Sequence, residues 1–127
     1  MILVIGAICG FISVAFGAYA EHGLRGTISS EYFDMLMTAV RYNQMYAMII
    51  SMIGLTILNG GKLANSTILN ISGYLFIFGT LLFSFGIYIA VLFNISQALR
   101  LAPIGGTILM ISWLGLVVLA ILEIRKK

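Results

Sequence analysis

TILNISGYLFIFGTLLFSFGIYIAVLF, residues Thr67–Phe93, lies in a stretch with no charged side chain between Lys62 and Arg100. About 20 helical residues, rising ~1.5 Å each, cross the ~30 Å hydrocarbon layer of a bilayer. This run is long enough to cross with some tilt. Every backbone N–H and C=O inside the bilayer has to be bonded within the protein, and one long helix does that alone. The apolar/polar alternation of a β-barrel strand is absent.

Working outward, charged and turn-forming residues mark three more segments, at about 2–20, 29–58 and 103–122. Ser29-Ser30-Glu31 offers a capping hydroxyl and an acidic first turn. The helix it opens runs about 45 Å to Leu58, so its first three turns form an interfacial, amphipathic extension or enter the bilayer obliquely. Asn59-Gly60-Gly61-Lys62 stops it. Pro103 suits the first turn of the last helix, which Glu123 and a basic tail close. The expected fold is a single all-α transmembrane domain over 1–127, with four crossings and a polar connection from Glu21 to about Thr27.

Composition agrees. The chain is 61% hydrophobic and 9% charged, with a mean hydropathy of +1.13. A soluble domain carries about 25% charged residues, so most of this surface has to face lipid. The net charge of +3 does not indicate nucleic acid, because Arg25, Arg41, Lys62, Arg100 and Arg125-Lys126-Lys127 are scattered between apolar runs. Cys9 is the only cysteine, which excludes an internal disulfide, a CxxC pair and a cysteine zinc site. Met1–Ala20 ends in a small-x-small pattern, Ala18-Tyr19-Ala20, that fits signal-peptidase cleavage. The missing basic n-region and the length of the apolar run favour a retained helix.

Small residues recur at helical spacing: Gly6, Gly10, Ser13, Gly17 and Ala20 in the first segment, Ala47, Ser51 and Gly54 in the second, and Ser72, Gly79, Gly86 and Ala90 in the third. In lipid, such stripes let backbones approach, and they serve an internal bundle or a homo-oligomer equally well. The positive-inside bias is slight, with Lys62 and the C-terminal cations against Arg25, Arg41 and Arg100. It places both termini in the cytoplasm, in a multi-pass protein of the bacterial cell membrane, and a bias this small also permits insertion in both orientations.

Polar chemistry concentrates between Glu21 and Gln44. Glu31, Asp34, Thr38, Arg41 and Gln44 advance by three or four residues and form one polar stripe on an otherwise apolar helix. Arg41 near membrane depth is costly and needs a partner or water, with Glu21, Glu31 and Asp34 as the candidate partners. One reading makes Glu21, His22, Asp34, Arg41, Tyr42, Asn43 and Gln44 a ligand site or wet vestibule, with His22 exchanging protons near neutral pH. The other is a solvated interfacial face. A single histidine cannot furnish the four ligands zinc prefers, so neither a metal nor a cofactor is expected. Ser84 and Tyr88 share a face of the third segment and are candidates for a hydroxyl pathway, although serines in such helices usually bond back to their own backbone. No nucleophile has an adjacent base, and no phosphate-binding loop is present, so no enzymatic activity is expected.

The motifs, in order, are Gly17-Ala18-Tyr19-Ala20-Glu21-His22-Gly23-Leu24, Thr38-Ala39-Val40-Arg41-Tyr42, Gly79-Thr80-Leu81-Leu82-Phe83-Ser84, and Pro103-Ile104-Gly105-Gly106 with Trp113. Over nearly its whole length the chain resembles the small bacterial membrane proteins grouped as "domain of unknown function 423", related to the transmembrane protein 256 group. The resemblance implies a four-helix membrane fold and brings no established activity, substrate or cofactor. Glu21 stands at a position that is usually small. Tyr46 stands where the family often has a second histidine, which puts any mechanism needing two histidines in doubt. The expected function is therefore non-enzymatic binding of a lipid, a small polar ligand or a partner at the polar cluster. The alternative is a small oligomeric transporter or ion channel, although the motifs of the multidrug and fluoride classes are not matched.

Overall fold

The computed structural model describes Met1–Lys127 and contains helices and turns without strands. Four long helices follow in order: α1 (Ile2–Leu24), α2 (Ser30–Leu58), α3 (Thr67–Leu92) and α4 (Leu101–Arg125). Ser29 Oγ accepts from the Tyr32 amide at 3.2 Å and starts α2; Ser66 Oγ accepts from the Leu69 amide at 3.3 Å and starts α3. After α2, Gly60 and Gly61 take φ of 80° and 93°, a left-handed pair that turns the chain through a short 3-10 turn, Lys62–Asn65, into α3. Asn94 (φ 54°) and a second 3-10 turn, Ser96–Arg100, lead into α4.

Three boundaries differ from the sequence expectation, one in α1 and both ends of α4. Helix α1 does not stop at Ala20 but continues through a π turn, Ala20–Leu24, closed by the Arg25 amide on the Ala20 carbonyl at 3.0 Å. Glu21 pairs with Arg25 one turn on and supports the added turn despite Gly23 within it, so the polar connection shrinks to the residues after Leu24. Helix α4 starts at Leu101, two residues before Pro103, and runs through Glu123 to Arg125, because the Glu123–Lys126 pair one turn apart supports the extra turn.

Helices α1 and α2 form one hairpin and α3 and α4 the other, with α3 in the middle touching all three others. In its most apolar 18-residue stretch α3 is 56% buried, against 22% for that of α1 and 17% for that of the segment containing α4, whose outer faces are broad and apolar. Phe76, Ile50, Ile53 and Leu109 fill the half of the bundle nearer the chain's N-terminus, while Leu36, Val40, Ile87 and Val91 fill the other half.

Close backbone approach holds the hairpins. A Cβ on Gly54 would lie 2.6 Å from Leu3 Cα, and one on Gly6 would lie 2.8 Å from the Ser51 amide nitrogen. Gly10 and Gly17 make ordinary contacts with Ala47 and Val40. Across the other hairpin, Gly105 leaves no room beside Phe83 N and Gly79 O, Gly79 abuts Leu109, and Gly86 abuts Ala98 and Leu101. The six stripe glycines, Gly6, Gly10, Gly17, Gly54, Gly79 and Gly86, therefore face their own chain, where dispersion contacts replace the hydrophobic drive that lipid cannot supply.

Three helices, α1, α3 and the segment containing α4, are long and apolar enough to cross a membrane. Helix α2 is long enough but carries Glu31, Asp34, Arg41, Asn43 and Gln44 in its first half. Its polar half is where the candidate site lies.

Candidate functional site

Successive α-helical residues point about 100° apart, so Arg41, Tyr42, Asn43 and Gln44 are distributed around α2 rather than gathered on one side. Arg41, Tyr42 and Gln44 are exposed, and Asn43 is completely buried. The cluster expected from sequence is thus divided in two by the body of the helix.

The inner part is a polar contact between α2 and α3. Asn43 Nδ2 donates to the Tyr88 hydroxyl at 3.0 Å, and Tyr88 stacks on Phe16 of α1 with ring centroids 4.4 Å apart. Asn43 Oδ1 is buried without a partner. Ser84 Oγ donates to the Ala39 carbonyl of α2 at 3.0 Å, so this serine bonds across the helix interface rather than back to α3. It does so from a π turn, Leu81–Phe85, and Tyr88, four residues on, faces α2 from the same side of the helix.

The outer part is a groove of about 390 Å³ between the end of α1 and the first turns of α2. Glu21, Arg25, Phe33, Asp34, Met37 and Arg41 line it. Glu21 and Arg25 are tied together at 2.7 Å, and the Arg25 guanidinium lies 4.6 Å from the centroid of the Phe33 ring. That arrangement removes Glu21 as a partner for Arg41. The chain contains two ion pairs, Arg25–Glu21 and Lys126–Glu123, and Arg41 belongs to neither. The expected pairing of Arg41 with Glu21, Glu31 or Asp34 is therefore not present: Glu21 is engaged one turn away on α1, and Asp34 is two turns up the same helix. Asp34 makes no side-chain hydrogen bond; only its backbone carbonyl is used, by Thr38.

Arg41 also borders a second hollow, of about 460 Å³, with Thr38, Tyr42 and Met45. It stands on the ridge between the two depressions. His22 is exposed on the π turn of α1 and does not line the groove. Gln44 faces a different depression, of about 520 Å³, between α1 and α2 beside Gly10, Ser13, Ala47 and Ser51. Glu21, His22 and Asp34 do not gather into a group of three metal-ligating side chains.

Sequence reasoning treated Arg25 only as a loop charge and passed over Phe33 and Met37 as groove residues. The i,i+4 spacing of Glu21 and Arg25 was the available signal, masked by placing both in a connection. The Asn43–Tyr88 bond spans 45 positions and has no local signature.

An all-helical bundle whose helices turn broad apolar faces outward and whose charges gather near helix ends is an integral membrane protein, resident in a lipid bilayer. The chain belongs to the family described as "Protein of unknown function (DUF423)", whose model matches residues 16–106. It is similar to the UPF0382 membrane protein SH2409 of Staphylococcus haemolyticus, 33% identical over 120 residues and covering 93% of each chain. It is also similar to the UPF0382 membrane protein YwdK of Bacillus subtilis, 31% identical over 119 residues and 94% of each chain. A UPF0382 membrane protein of Haemophilus influenzae is 33% identical over 115 residues, 90% of this chain and 88% of its own. No solved structure matches significantly.

Proposed function

We propose that this protein is a non-enzymatic binding protein of the cell membrane that crosses the bilayer four times and uses the groove between α1 and α2 to hold a lipid, a small polar ligand or a partner. The observation that carries this reading is Arg41, a charge on the flank of a membrane helix that is exposed and makes no ion pair within the chain. A guanidinium at that depth requires an anion or water, and Arg41 belongs to neither of the chain's two ion pairs. Asp34 in the same groove is likewise free.

With Leu58 at the far hydrocarbon boundary, α2 needs about 20 residues to cross, so its last two thirds span and its first turns emerge among the headgroups. Both termini then lie in the cytoplasm with Lys62 and the C-terminal cations, and the groove opens at the opposite face. Reporter fusions at each terminus and at the Asn59–Ser66 turn test this topology; a terminus and that turn on opposite sides would overturn it.

The groove reading is tested by thermal-shift screening of purified protein against lipids and polar metabolites. Stabilisation of the wild type that is lost in both Arg41→Ala and Asp34→Ala supports it. Identical responses of all three proteins to every compound would sink it.

A further inference from the structure

We infer that the groove recognises one membrane lipid class, a phospholipid with a primary-ammonium headgroup of the phosphoethanolamine type. This deepens the groove reading above and rests on it. Once Glu21 and Arg25 neutralise each other, the groove keeps one free charge of each sign, the Arg41 guanidinium and the Asp34 carboxylate. A ligand satisfying both must carry an anion and a cation a short distance apart.

Depth fixes the order of those charges. Counting back from Leu58 at ~1.5 Å per residue, Arg41 lies about 25 Å and Asp34 about 36 Å along α2, on either side of the ~30 Å hydrocarbon limit. Arg41 therefore sits just beneath the headgroup layer, and helix side chains lean toward the N-terminus, which brings its guanidinium up to phosphate level. Asp34 sits within the headgroup layer. A phosphoethanolamine lipid presents its charges in that order, with phosphate nearer the hydrocarbon and ammonium farther out. Guanidinium is the side chain best matched to two phosphate oxygens, and a primary ammonium donates up to three hydrogen bonds, as a lysine does, to a carboxylate such as Asp34.

Two further features choose the lipid over its competitors. The second hollow, deeper along α2 on the other side of the Arg41 ridge, is lined by Thr38, Tyr42 and Met45 and lies toward the hydrocarbon, where the acyl chain of a lipid held at Arg41 would run. A soluble zwitterion leaves that hollow unused. A trimethylated headgroup would call for an aromatic cage, and the one aromatic ring in the groove, Phe33, is already beneath Arg25. A glycerol headgroup would leave Asp34 facing a phosphate with no cation between them.

The test uses the full-length protein in nanodiscs of phosphatidylcholine doped with phosphatidylethanolamine or phosphatidylglycerol, with lipid retention after extraction read by native mass spectrometry. We expect retained phosphatidylethanolamine to exceed either other lipid by about tenfold, the value of one charge-assisted contact. Arg41→Gln should abolish retention and Arg41→Lys restore part of it. Asp34→Asn, on an exposed face where folding is not at stake, should equalise the three lipids while keeping some retention. Saturable, Arg41-dependent retention with no headgroup preference would overturn this inference and leave the groove reading intact. Equal retention by wild type and Arg41→Gln would overturn the inference, and with no Arg41- or Asp34-dependent hit in the thermal-shift screen the groove reading falls as well. Displacement of the lipid by millimolar glycerophosphoethanolamine, with equal affinity, would overturn the choice of a membrane lipid in favour of a soluble one.

Discussion

Arg41 and Asn43 are two residues apart on one helix and have opposite fates. Asn43 is completely buried and finds Tyr88 on α3, whereas Arg41 is exposed and finds no protein partner. A polar group inside the bundle is answered by another helix and contributes to holding the bundle together. One on the lipid-facing flank has to be answered from outside the chain. The comparison separates residues whose loss should be read in stability from those whose loss should be read in binding.

The sharpest way to break that contrast is Asn43→Asp, which places an unpaired carboxylate where the amide is now enclosed. Loss of one partner of a buried charge pair costs about 3–5 kcal/mol, and a comparable destabilisation is expected here, visible as lost monodispersity and a collapsed detergent melt. Tyr88→Phe is milder: it strips Asn43 of its recorded bond and should cost about 1–3 kcal/mol in unfolding titrations. Replacing both residues, Asn43→Leu with Tyr88→Phe, should recover most of that loss, because no orphaned polar group remains. Ser84→Ala removes a single interhelical hydrogen bond and should cost about 0.6 kcal/mol, the average for such bonds in membrane bundles. Arg41→Gln should change stability least, within about 0.5 kcal/mol in lipid-free detergent, as exposed substitutions do. A large destabilisation by Arg41→Gln would show that this residue is structural after all.

Much of the fold was legible because the bilayer simplifies the reading. The charge-free run from Lys62 to Arg100, the Ser29 cap and the Asn59-Gly60-Gly61 stop locate α2 and α3 to within a residue or so. The stripe Glu31, Asp34, Thr38 and Arg41 also follows from helical spacing, and Asp34 and Arg41 do share a groove. What was not legible depends on azimuth and on distant contacts. Four consecutive polar residues, Arg41–Gln44, cover every direction around a helix, and only the position of α3 determines that Asn43 is the inward one. The extension of α1 was hidden for a different reason: charged Glu21 reads as the end of an apolar segment, while its pairing with Arg25 supports another turn of helix.

The widened turn at Leu81–Phe85 behaves like a dislocation in a crystal row. Backbone hydrogen bonding would tolerate its removal, since a one-residue-shorter α3 could wind as plain α-helix. Everything beyond the defect would then rotate by about 100° relative to everything before it, while Ser72 kept its place against Gly115. Tyr88 would swing off Asn43 and Gly86 off Leu101 together. The extra residue is thus a phase setting, by which one straight rod keeps two neighbours in register at its two ends.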